Sequence, residues 1–228
     1  MPAEGPSGWI AEQVLARPWV ESLGIRPFFQ PIVDLSTGQP LGYEVLSRGA
    51  PPFESPEAMF CHAKEAGMLW DLERACRTVA IQRISQLPPR LRGARFFLNV
   101  SPQILSDARF VEGFTRGMLR ERGLDQENIV IEITEKDSIH DYGRFEELIH
   151  HYVDQGFRIA LDDFGSGHSS LVTLIRCVPH FPRKMRLGVC FVRFATRYMP
   201  TTAGGLFSLA TTPRLILAFS TRQSSVRT

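Results

Sequence analysis

Apolar and polar positions along the chain change period several times. Residues 28–35 and 41–46 are β-like runs separated by Ser36-Thr37-Gly38, which predicts two strands joined as a hairpin with a loop. Ahead of them, Ile10, Val14 and Leu15 form a short amphipathic stretch before Pro18 and predict a helical lead-in. Residues 57–68 and 71–87 repeat with helical period. In the second, Leu72, Ala75, Cys76, Val79 and Ile84 fall on one face, and Pro88-Pro89 stops the helix. Residues 95–100 read as a strand, Ser101-Pro102 as the start of a short helix or turn, and 110–120 as a helix. Residues 128–133 form a strand of the buried, branched type, 142–154 a helix ending near Gly156, and 157–161 a strand closed by Asp162-Asp163-Phe164-Gly165.

After the opening hairpin the order is helix–strand–helix–strand–helix–strand. Repeated βα units imply a mainly parallel sheet with helices outside it, either an open doubly wound sheet or a barrel. Five strands are in place by residue 163, and a closed eight-stranded barrel needs three more. The stretch after residue 171 shows no clear period, so the expected sheet is incomplete after its fifth strand. A helix beginning at 169–176 is the last element the pattern suggests.

Length and composition add limits. A chain of 228 residues can form one domain with a sizeable core, and 43% hydrophobic with 22% charged residues is ordinary for a globular protein. The N-terminus lacks a basic cluster followed by an apolar run, so no signal peptide is expected. Residues 206–219 are apolar but interrupted by Pro213 and Arg214, too short and broken for a membrane span. Cys61, Cys76, Cys177 and Cys190 show no CxxC or metal-finger spacing and read as reduced thiols of a cytoplasmic protein.

Charge changes the picture more. The net charge of +2 conceals an asymmetry: all 24 Asp and Glu lie in residues 1–163, and residues 164–228 hold nine Lys and Arg without a single acid. At ordinary usage about 8 acids belong there. A basic tail would point to nucleic acid or a membrane surface, but such tails are Lys-rich and poor in hydrophobics, and this one is neither. No nucleic-acid polymer is therefore expected as partner. A change of reading frame after Leu171 explains the missing acids and the vanished period together.

The candidate chemistry lies at the strand ends. Glu44, Asn99, Glu132 and the pair Asp162-Asp163 stand on four separate strands, where the apolar pattern would favour a hydrophobe. In an α/β barrel the C-terminal strand ends form the active face. Several carboxylates gathered there are costly unless cations neutralise them. Oxygen donors without His or Cys suit Mg²⁺ or Mn²⁺ rather than zinc. Asp163-Phe164-Gly165 also matches a kinase metal-binding segment, but the glycine-rich loop, strand lysine and catalytic loop of kinases are missing. Gly165-Ser166-Gly167, with Ser169 and Ser170, could cradle a phosphate beside a metal cluster.

Five segments in order carry a family likeness: Phe29-Gln30-Pro31-Ile32-Val33, Tyr43-Glu44-Val45-Leu46-Ser47-Arg48, Asn99-Val100-Ser101, Glu132-Ile133-Thr134-Glu135 and Asp162-Asp163-Phe164-Gly165-Ser166-Gly167. The chain resembles the EAL domain over residues 27–171, between a lead-in of residues 1–26 and a divergent tail of residues 172–228. The resemblance implies a modified TIM barrel with one antiparallel strand, cytoplasmic and often dimeric. It implies hydrolysis of cyclic-di-GMP to linear pGpG with two Mg²⁺ or Mn²⁺ ions. By the same resemblance Glu44, Asn99, Glu132, Asp162 and Asp163 are metal ligands, with Asp162 bridging the ions. Arg48 holds a phosphate, and Gln30 lines the nucleotide pocket. Glu135 steadies the loop after Asp163, in which Ser169 lies. His168 stands where an aromatic residue is common and reads as a loop residue.

Beyond Leu171 the likeness ends. The family's Lys-Ile-Asp-like strand and its later glutamate have no counterpart; Lys184 stands near the right place without the aspartate. Three readings follow: a cyclic-di-GMP phosphodiesterase, a cyclic-di-GMP-binding or interaction module that does not hydrolyse it, and an inactive truncated domain.

Overall fold

A computed structural model describes residues 18–34, 40–134 and 142–162, together with the backbone of residues 185–194 and 213–221. A short helix, α1 (Pro18–Ser22), leads into the antiparallel pair β1 (Arg26–Asp34) and β2 (Pro40–Arg48). Helices α2 (Pro56–Glu65), α3 (Leu69–Ser85) and α4 (Pro89–Arg92) then precede β3 (Phe96–Asn99). A 3-10 turn (Pro102–Ser106) and α5 (Phe114–Glu121) lead to β4 (Ile129–Thr134), and α6 (Tyr142–Asp154) to β5 (Arg158–Asp162). Two further strands follow, β6 (Met185–Phe194) and β7 (Pro213–Thr221).

The strands close into a barrel in the order β1-β2-β3-β4-β5-β7-β6. Strands β2 to β5 are parallel to one another, and β1 runs against β2. The hairpin and the βα succession read from the hydrophobic pattern are therefore present, and the succession stops at the fifth strand as expected. The rest of the ring differs from an eight-stranded barrel. It is carried by two strands, β7 antiparallel to β5 and β6 antiparallel to both β7 and β1. The tail thus supplies two strands that the absence of a period concealed, and β7 is a second strand running against the parallel set. Both are nearly unbroken apolar runs, and periodicity alone does not reveal a strand of that kind.

Strand alternation sorts the core into two layers. The outward positions Val45, Phe96, Leu98, Ile129, Ile131, Ile133 and Ile159 pack with Trp70, Ile81 and Ile84 of α3, Met118 of α5, and Phe145, Leu148 and Tyr152 of α6. The inward positions Ile32, Phe97, Val130 and Ala160 form a separate plug inside the ring. Burial of each large side chain contributes about 1.5–3 kcal/mol, so both layers hold the strand ends in place.

Two helices depart from the pattern in informative ways. The buried face of α3 is Trp70, Asp71, Leu72, Glu73, Cys76, Arg77, Ala80, Ile81 and Ile84, whereas Ala75 and Val79 are only half-buried. Charged residues therefore share the arc that the pattern gave to apolar ones. Helix α5 begins at Phe114 rather than at 110, because Gly113 takes a left-handed φ of 74° that ends any preceding turn. Before it, Arg109 holds the chain in a loop. Its Nη1 donates to both oxygens of Asp71, at 3.0 and 2.7 Å, and its Nε donates to Asp107 Oδ1 at 2.9 Å.

Candidate active site

The inward side of the parallel strands changes character toward their C-terminal ends. Phe97 and Val130, partners across β3 and β4, belong to the apolar plug; two residues on, Asn99 and Glu132 are partners in the same register. On β2, Glu44 lies opposite Gln30 of β1. Glu44 is 4% exposed and Glu132 is 0% exposed, so two carboxylates are buried, Glu44 in register with Phe97 of the plug and Glu132 two residues beyond Val130. Asn99 reaches between them: its Nδ2 donates to Glu44 Oε1 at 3.1 Å. That bond turns the amide nitrogen toward Glu44.

The other expected residues fall as follows. Gln30 is half-buried on β1. Arg48 is half-buried at the end of β2, and its Nη1 donates to Ser47 O at 3.0 Å. Asp162 is the last residue of β5, its backbone in register with Thr134 of β4. Asp163, Glu135, His168, Ser169, Lys184 and the Gly165-Ser166-Gly167 segment lie outside the described residues.

Behind the strand ends is a feature that the sequence pattern did not disclose. Glu73 and Arg77 form an ion pair at 2.7 Å, with side chains 3% and 4% exposed. Arg77 Nη1 also donates to Thr115 Oγ1 and Tyr152 Oη, both at 3.2 Å. Burial opposes the charge on Arg77, but Tyr152 and Glu73 more than offset it, and the guanidinium stays charged. Burial raises the Tyr152 hydroxyl, with Arg77 pulling the other way. The second oxygen of Glu73 accepts from Ser101 N at 2.9 Å. Sequence signals for this pair were its helical i, i+4 spacing and its neighbours Leu72 and Cys76. The usual meaning of that spacing, a solvated pair on a helix surface, hid it.

A cavity of about 410 Å³ adjoins the same strand ends. Its lining includes Ser47, Glu73, Cys76, Arg77, Asn99 and Ser101.

The donor set fits a hard divalent cation. Two carboxylates buried on the strands either side of Asn99 are a costly arrangement that a bound cation would offset. The donors are oxygens, without His or Cys. Among the described residues no three His, Cys, Asp or Glu side chains come together as a metal-holding group; the described part of the site is two carboxylates and an amide. Also among the described residues, no helix is long and apolar enough to cross a membrane.

Comparison with known proteins points in one direction. The family profile described as "EAL domain" matches residues 16–181. A probable cyclic di-GMP phosphodiesterase of Escherichia coli, PdeG, is 29% identical over 171 residues, covering 70% of this chain and 32% of the relative. The cyclic di-GMP phosphodiesterase PA2567 of Pseudomonas aeruginosa is 29% identical, covering 68% of this chain and 27% of the relative. This chain thus spans about a third or less of the length of these relatives. Among solved structures, the FimX EAL domain of P. aeruginosa bound to c-di-GMP superposes with a TM-score of 0.58 at 25% identity, covering 72% of this chain and 67% of that one. Klebsiella pneumoniae BlrP1, in a complex with calcium and cyclic-di-GMP, gives a TM-score of 0.58 at 28% identity, covering 67% of this chain and 38% of that one.

Proposed function

The chain belongs to the EAL domain family, and from that premise we propose that it hydrolyses cyclic-di-GMP to linear pGpG with Mg²⁺ or Mn²⁺. The observation that carries this reading is the convergence of Glu44, Asn99 and Glu132 from three neighbouring strands, Glu44 from the middle of β2 and the other two from the C-terminal halves of β3 and β4. Glu44, Asn99 and Glu132, with Asp162 and Asp163 at and after the end of β5, would hold the ions. Bound there, divalent ions lower the pKa of a water and offset charge on the phosphoryl oxygens. Complexes of BlrP1 with cyclic-di-GMP and calcium or manganese support the choice of ion class.

The remaining roles belong to the chain's own side chains. Arg48 sits at the end of the strand that carries Glu44, within reach of the same face, and would take a phosphate through its guanidinium fork. Gln30, opposite Glu44, would present its amide to the nucleotide. Glu135 would brace the loop that follows Asp163. Four cysteines without a pairing pattern fit a reducing, cytoplasmic setting.

A second reading has its own observation. Residues 164–228 contain no acid, so β6 and β7 add no carboxylate to the ring. A site with fewer carboxylates could bind cyclic-di-GMP without cleaving it. Calorimetric titration of the whole chain with cyclic-di-GMP in Mn²⁺, set beside the same titration of Glu44→Ala, tests the placement of the site. Binding that depends on both Mn²⁺ and Glu44 is the expected result. Binding indifferent to both would remove the site from the strand ends.

A further inference from the structure

Helix α3 carries a carboxylate that no step above uses. Glu73 is buried with Arg77, and one of its oxygens takes the N–H of Ser101. Ser101 lies two residues beyond Asn99, where β3 has ended and the 3-10 turn begins. Between them, Val100 N donates to Glu132 O at 2.9 Å. The chain leaving β3 is therefore held from two sides: by the strand that bears Glu132, and by the helix that bears Glu73. Asn99, Ser101, Glu73 and Arg77 all line the one cavity of about 410 Å³, so cavity space adjoins this part of the strand end.

We propose that Glu73 is a positioning residue for Asn99: its carboxylate, itself fixed by Arg77, anchors the Ser101 N–H and so sets the end of β3 at which Asn99 faces Glu44. Arg77 has a role of its own in this arrangement. With Thr115 on α5 and Tyr152 on α6 as further partners, it ties the carboxylate to three helices. A charged acceptor for a backbone N–H gives a stronger, shorter bond than a neutral one. Groups that orient a metal ligand typically alter metal affinity about 10–100-fold when removed.

The proposal rests on the reading of Asn99 as a metal ligand, and the test separates the two. In the unmodified chain, the Ser101 backbone amide is expected to exchange slowly with deuterium although it follows the strand. Exchange at the rate of a free loop amide overturns the proposal without any variant. In Glu73→Ala, the side-chain amide resonance of Asn99, which reports its bond to Glu44, shifts toward free-amide values. Affinity for Mn²⁺, followed by electron paramagnetic resonance of the free ion, falls about tenfold. Glu73→Gln, which keeps an oxygen for Ser101, restores most of both signals. Thr115→Val removes one of several partners of Arg77 and none of Ser101, and shifts both far less than Glu73→Ala does. An unmoved Asn99 resonance in a folded Glu73→Ala overturns the positioning role. Failure of the unmodified chain to bind Mn²⁺, with the Asn99 resonance still sensitive to Glu73, contradicts the functional reading instead.

Discussion

Burial decides what single residues can do in this barrel, and the two described cysteines show it. Cys76 on α3 is buried, and desolvation pushes its thiol up to about 12, with Ser47 as a hydrogen-bond partner that acts the other way. Cys61 on α2 is exposed, its Sγ 3.6 Å from Glu65 Oε1. Only a thiolate reacts readily with alkylating reagents. Iodoacetamide at pH 8 is therefore expected to modify Cys61 and spare Cys76 in the folded chain, as read by peptide mass mapping; equal labelling would contradict the packing of α3. The same rule explains which residues were legible in sequence. Glu44 and Glu132 stand out because an acid interrupts an apolar strand, and burial there demands a partner. Glu73 and Arg77 did not, because acids and bases four apart on a helix ordinarily face water.

At the scale of elements, the placement of Glu44 depends on how closely β2 and β3 approach. Gly42 stands two residues before it, and a Cβ at Gly42 would meet Arg95 O at 2.5 Å and Phe97 Cε2 at 3.0 Å. Backbone oxygen cannot move aside as a flexible side chain can. Gly42→Ala is expected to destabilise the fold by about 1–3 kcal/mol, measured as a lower urea midpoint, and to weaken Mn²⁺ binding with it. An unchanged midpoint would mean that the strands separate at no cost. The hairpin and the parallel strands could be read from sequence because each carries period-2 or branched-run signals between turn residues. Strands β6 and β7 could not, since their apolar runs lack alternation and follow a stretch without acids. The start of α5 was hidden as well: nothing local announces that Gly113 is left-handed or that Arg109 folds the preceding residues onto Asp71.

For the whole molecule, closure of the ring matters more than the strand count. Among the described residues, seven strands surround the plug of Ile32, Phe97, Val130 and Ala160. The parallel arc β2–β5 carries Glu44, Asn99, Glu132 and Asp162 of the expected metal ligands, and the antiparallel arc β1, β6 and β7 completes the wall. All acids lie in the first 163 residues, so β6 and β7 bring no carboxylate to the chemistry. Whether the chain suffices for cleavage is measured most directly by incubating it in full length with cyclic-di-GMP and Mg²⁺ or Mn²⁺ and resolving the products by chromatography. Linear pGpG that forms with either ion, and is lost with a chelator or in Glu44→Ala, is the predicted result. Cyclic-di-GMP recovered intact, with the nucleotide shown to be bound, would contradict hydrolysis and leave a receptor in its place.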